Sequence, residues 1–134
     1  MPDKPDDRRP PTPEYPVLDA EGNLTEYGEW YYERPTGYRS GVRQSAWDAA
    51  EAESIDGVVR DPVTGDPLDP DEPWDMGHKP GYEFRKHRLS AAERGIGRRQ
   101  FLDEHNTPDH YRPENPDSNS SHQGEAPDDI YYGP

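Results

Sequence analysis

The sequence predicts one small α+β domain behind an extended leader, and three observations carry that expectation. Apolar residues recur at helical spacing over about 41–52, with Val42, Ala46, Ala49 and Ala50 on one face. A strong turn, Asp61-Pro62-Val63-Thr64-Gly65, lies between Gly57–Arg60 and Pro67-Leu68, the pattern of a β-hairpin. Pro2, Pro5, Pro10, Pro11, Pro13 and Pro16 crowd the start of the chain, where no regular element can form.

The leader is placed at residues 1–38, proline-rich at first and then acidic and aromatic. Tyr27, Trp30, Tyr31 and Tyr32 follow the turn signal Glu21-Gly22-Asn23, suggesting a short hairpin or a docking segment; its packing is left open. The domain is expected over 39–134. Ser40 is expected to cap the helix that starts at about Gly41. After the hairpin, Trp74–His78 is expected as a short strand ending in a loop. Ser90-Ala91-Ala92-Glu93 matches a capping box, and a further short helix is expected at about Arg98–His105, with Phe101 and Leu102 on one side. Composition alone assigns everything from Asn106 onward to loop. No internal repeat is present.

The chain has 134 residues, only 28% of them hydrophobic, with 17 Pro and 12 Gly, so its core must be small. Three Trp and nine Tyr argue against a wholly disordered chain. Cysteine is absent, which excludes disulfides and thiolate metal sites; a metal would have to be held by His, Asp, Glu or Asn. No apolar run has the length of a membrane span, and no signal-peptide pattern opens the sequence. The net charge of −14 runs against nucleic-acid binding. Within 79–99, however, seven basic residues (Lys79, Arg85, Lys86, Arg88, Arg94, Arg98 and Arg99) face only Glu83 and Glu93, a local charge of +5. Such an island is either a strip facing phosphates or the solvated face of a helix.

Five histidines, His78, His87, His105, His110 and His122, supply the candidate chemistry. Asp75 and His78 close one expected strand. His122 and Glu125 are three apart, a spacing that on a helical turn brings two ligands to one cation. Imidazole in such a set favours transition metals or zinc, and carboxylate favours Mg or Mn.

The segment Trp74-Asp75-Met76-Gly77-His78-Lys79-Pro80-Gly81 resembles the opening signature of the GH-E nuclease toxins, a family of the HNH/endonuclease VII superfamily. The resemblance continues through Phe101-Leu102-Asp103-Glu104, Asn106, Pro108, Tyr111-Arg112 and Pro113-Glu114. It closes with Ser118-Asn119-Ser120-Ser121-His122-Gln123-Gly124-Glu125, and covers about Arg39 to Glu125. One departure is Ser120, where the family often carries a basic residue.

The resemblance implies a ββα-metal core, a hairpin followed by a helix around one divalent cation (Mg, Mn, Ni or Zn), with additional helices. It implies His78 as general base and Gly77 as the point where backbone passes close to the scissile phosphate. The ligands would be His122 and Glu125, with Asp75 a further candidate. Asn119 would orient His78 or complete the metal shell. Lys79, Arg85, Lys86, Arg88, Arg98 and Arg99 would face the nucleic acid, DNA ahead of RNA. Family analogy further implies a monomeric toxin module of a larger secreted bacterial protein. It would act in the cytoplasm of a target cell and be neutralised by a cognate immunity protein, with no membrane partner. The alternative is a non-enzymatic acidic binding module, such as a nucleic-acid mimic or an immunity-type partner, supported by the −14 charge and the run Asp66, Asp69, Asp71, Glu72, Asp75.

Overall fold

Two four-residue strands, far apart in sequence, form the ribbon around which the molecule is organised. The computed structural model describes residues 7–121 and Tyr131. Its elements run α1 (Glu26–Tyr31), α2 (Val42–Glu53), β1 (Asp75–His78), α3 (Phe84–Arg94), α4 (Arg98–His105), a 3-10 turn (Pro108–His110), β2 (Tyr111–Glu114) and α5 (Pro116–Ser121). β1 and β2 are antiparallel, with Asp75 opposite Glu114, Met76 opposite Pro113, Gly77 opposite Arg112 and His78 opposite Tyr111. The order is thus strand, strand, helix, with α3 and α4 inserted between the strands. This small α+β arrangement is compatible with the expected nuclease core.

The expectation of loop beyond Asn106 is corrected by β2 and α5. A proline tolerates a strand in a two-stranded ribbon, where one edge needs no ladder hydrogen bond. Here Tyr111 and Pro113 turn inward, and the charged Arg112 hid the alternation.

One core cluster joins α2 to the ribbon through Val42, Ala46, Trp47, Val59, Trp74, Met76 and Tyr111. The helical face expected from spacing is the buried one. Its cap is different: Gly41, at φ +87°, is the N-cap, and no side chain bonds there, so Ser40 does not cap. The expected hairpin shrinks to a single bridge, Arg60 with Pro67, closed by Asp61 N–H donating to Asp66 O at 2.8 Å.

The second cluster packs Tyr31 and Tyr32 against Ala91, Ala92 and Phe101. The aromatic segment before residue 39 therefore lies against α3 and α4. Tyr32 is fully buried and donates its hydroxyl hydrogen to the carbonyls of Ile96 (2.6 Å) and Ala91 (3.2 Å). Burying a ring such as Phe101 stabilises by roughly 1.5–3 kcal/mol. The capping box at Ser90 is also corrected. Helix α3 starts six residues earlier, and the Ser90 hydroxyl accepts from Arg94 Nε at 2.9 Å within it. Gly95, left-handed at φ +65°, ends the helix.

Candidate active site

Strand alternation divides the site residues between two faces of the ribbon. Met76 and His78 share a face with their partners Pro113 and Tyr111, while Asp75 and Gly77 share the other with Glu114 and Arg112. Asp75 and His78, both expected at the end of one strand, thus lie on opposite faces of it and belong to two neighbouring groups.

On the first face, His78 is half-buried at the end of β1, its ring 4.8 Å from that of Tyr111. Tyr111 donates its hydroxyl hydrogen to His105 O at 2.6 Å. His105 stacks on Tyr38 with ring centres 5.0 Å apart. His87 lies between Phe101 at 4.5 Å and Tyr131 at 5.2 Å, and Tyr82 stacks on His110 at 4.4 Å. Four histidines are thus embedded among aromatic rings. Burial pushes the His78 pKa down to about 3, and the positive charge of Arg34 and the neighbouring His87 and His110 push the same way. Burial likewise takes His105 to about 3 and His87 to about 4. Burial thus favours the neutral form of these imidazoles, and a group that takes up a proton here needs a negative charge beside it to stabilise the cation.

On the second face, the carboxylate of Glu114 lies across Gly77, and any side chain at 77 would overlap it. The glycine is required by that close approach. Burial raises the Glu114 pKa; Arg112, with Nε 3.7 Å from Oε2, opposes this, and the negative charges of Asp61 and Asp75 add to it. Asp75 accepts from Asn119 Nδ2 at 3.1 Å, so Asn119 meets Asp75 and not His78.

Asp61, unmarked by the sequence, holds this face together. Its Oδ1 accepts from Asn115 N at 2.8 Å, and its Oδ2 from the Ser118 hydroxyl at 2.9 Å and Thr64 N at 2.8 Å. Burial alone would raise its pKa, but these bonds outweigh it and hold the carboxyl below the ordinary value. The turn at 61–65 is thereby fastened to the start of α5. Only the Asp at the head of a turn was visible in the sequence; its distant partners were not.

The donors fit a divalent cation in kind: Asp75 and Glu114 are adjacent carboxylates whose mutual repulsion a cation would relieve. Among the described residues no group of three or more His, Asp or Glu stands together as a full ligand set. The remaining two expected ligands, His122 and Glu125, lie outside the described residues.

The basic residues of 79–99 do not form one exposed strip. Lys86 is buried and pairs with Glu83 at 3.1 Å, and Arg98 is buried with Nη1 donating to Tyr31 O at 2.8 Å. Arg94 forks onto Glu104 at 2.7 and 2.9 Å. Arg85 and Arg99 are exposed, and Lys79 and Arg88 half-exposed. No helix of the described residues is long and apolar enough to cross a membrane.

No solved structure matches the chain. A family model does: residues 56–125 match GH-E, described as an HNH/ENDO VII superfamily nuclease with conserved GHE residues. Gly77-His78 supplies an adjacent Gly-His pair within that match, at the end of β1. The matched span includes both strands and α5, the elements that build the two faces described above. An acidic binding module without chemistry does not account for that match. The chain belongs to the GH-E family of HNH/ENDO VII superfamily nucleases, and is a phosphodiester hydrolase acting on nucleic acid.

Proposed function

We propose that this chain is a metal-dependent endonuclease in which His78 is the general base, and that it serves as a toxin module of a larger exported bacterial protein. The observation that carries the chemistry is the position of the Gly77-His78 pair at the end of β1, within the span that matches the nuclease family and beside the residues Asp75 and Glu114. The attacking water gives its proton to the free ring nitrogen of His78 as its oxygen bonds to phosphorus. The P–O bond to the leaving nucleotide then breaks. Asp75, His122 and Glu125 would hold the cation, with Asn119 fixing the Asp75 carboxylate through Nδ2. A divalent cation, when bound, stabilises the negative charge that develops on phosphate and leaving oxygen. Gly77 leaves space on its own strand that Glu114 fills.

DNA is the preferred substrate in this proposal and the working form is a monomer. Delivery by the parent protein, action in the cytoplasm of a target cell and neutralisation by an immunity protein rest on family analogy.

The test is cleavage of plasmid DNA and of RNA by the purified chain with Mg, Mn, Ni or Zn added singly, with EDTA, and with His78→Ala alongside. Cutting that needs a metal and disappears in His78→Ala is the expected result, with DNA cut faster. Metal-dependent cutting that survives in folded His78→Ala would remove His78 from the role of base.

A further inference from the structure

The loop leading into α2, which precedes the residues that match the family, carries a second charged feature together with α4. A cavity of about 400 Å³ lies between this loop and α4, its wall formed by Arg8, Glu33, Arg34, Tyr38, Arg39 and Arg98 among others. Four arginines face one glutamate there, in a chain whose net charge is −14. Resting on the nuclease reading, we propose that this cavity seats a backbone phosphate of the nucleic-acid strand beside the scissile bond, with Arg34 as its principal contact.

Three observations support the assignment. First, the cavity adjoins the candidate base. Tyr38 in its wall is 5.1 Å from the Tyr111 ring, which is 4.8 Å from His78. Tyr38 and Tyr111 thus link the cavity wall to the His78 ring through consecutive ring contacts. Second, Arg34 is exposed and its guanidinium lies 5.4 Å over the Phe84 ring. A guanidinium resting on an aromatic face keeps its flat fork open for two phosphate oxygens. Its charge also acts on His78, His105 and Tyr111.

Third, two further arginines of the wall have exposed carboxylates among their partners, which a phosphate can replace. Arg8 pairs with Glu33 at 2.7 Å and Arg39 with Asp103 at 2.7 Å, and both carboxylates are more than half exposed. Exposed pairs of this kind are weak and salt-sensitive. Arg98, turned inward onto Tyr31 O, adds positive potential below the cavity. The 33–39 loop is itself anchored, since Arg39 N donates to Asn106 Oδ1 at 2.7 Å, so the site is set in place before the strand arrives.

The experiment measures binding of a short fluorescent single-stranded DNA by the full chain in EDTA, over a range of NaCl concentrations, with cleavage in metal measured in parallel. Arg34→Ala should weaken binding about 3- to 10-fold and make the salt dependence shallower by about one counterion. Glu33→Gln, on an exposed residue, should tighten binding about 2- to 5-fold. Arg60→Ala, away from the cavity, should leave it unchanged. A wild-type chain that binds and cuts, with Kd and salt slope unaltered in both Arg34→Ala and Glu33→Gln, would overturn the cavity assignment and leave the nuclease reading standing. A wild-type chain that neither binds nor cuts would overturn both.

Discussion

Asn119 Nδ2 donates to Asp75 Oδ2 at 3.1 Å, and this bond ties α5 to the face of β1 that lies away from His78. Asp75 is thereby held in one orientation by a neutral donor, the usual arrangement behind a metal-binding carboxylate. Asn119→Ala should lower affinity for the activating metal about 10- to 100-fold, read by calorimetric titration of Mn into the full chain. Unaltered affinity would show that the bond has no part in metal binding.

Gly77 and Glu114 occupy one space. Gly77→Ala should destabilise the fold by about 1–3 kcal/mol in urea unfolding, because the new methyl meets a buried carboxylate. Adding Glu114→Ala should recover part of that loss. A double variant no more stable than Gly77→Ala alone would place the strain elsewhere.

The turn at 61–65 depends on Asp61. Asp61→Ala leaves Asn115 N, Thr64 N and the Ser118 hydroxyl without their acceptor, and should cost at least about 1.5–3 kcal/mol. The Asp61 pKa is held down in the folded chain, so its contribution is present above the unfolded value and is lost as pH falls through the folded one. Comparing wild type with Asp61→Asn in acid should show a shallower loss of stability in the variant.

The histidines set a second, milder acid limit. His87 and His105 are buried, with pKa values near 4 and 3 against an unfolded value of about 6.5. Below about pH 6.5 the unfolded chain takes up protons that the folded chain refuses, so stability falls as pH drops toward those values. Each such histidine removes up to about 1.4 kcal/mol per pH unit within that window. Urea midpoints between pH 7.5 and 4.5 should decline, and His105→Gln should flatten the slope.

Tyr32 joins the segment before residue 39 to α3 and α4. Tyr32→Ala should cost about 3–5 kcal/mol, and Tyr32→Phe about 0.5–1.5 kcal/mol for its bonds to Ile96 and Ala91. Melting temperatures that barely move in Tyr32→Ala would make the packing of this segment incidental.

What the sequence made legible follows the ordinary rules of burial. Helix α4 has the bounds its pattern predicts, and β1 lies within the expected strand, because Phe101, Trp74 and Met76 are apolar residues that go inside. Helix α3 began out of sight because Lys86 and His87, polar residues, point inward. Their burial depends on Glu83 and Glu104, and pairings of that kind leave no periodic trace. The same holds for the site. Gly77 and His78 stood out as a motif and Glu114 as part of one without a role, whereas Asp61 and Arg34 acquire meaning only from residues brought close by the fold.

The ribbon also constrains how the molecule assembles. Its strands are joined through α3, α4 and a 3-10 turn, so they cannot zip up from a local hairpin. Closing so long a loop costs chain entropy that two short strands repay only once the intervening helices have docked. The His78 face and the Asp75 face therefore depend on one closure, since both are built on the same strand pair. A chain in which β1 and β2 have not met lacks both faces, and with them the whole of the arrangement to which cleavage is assigned.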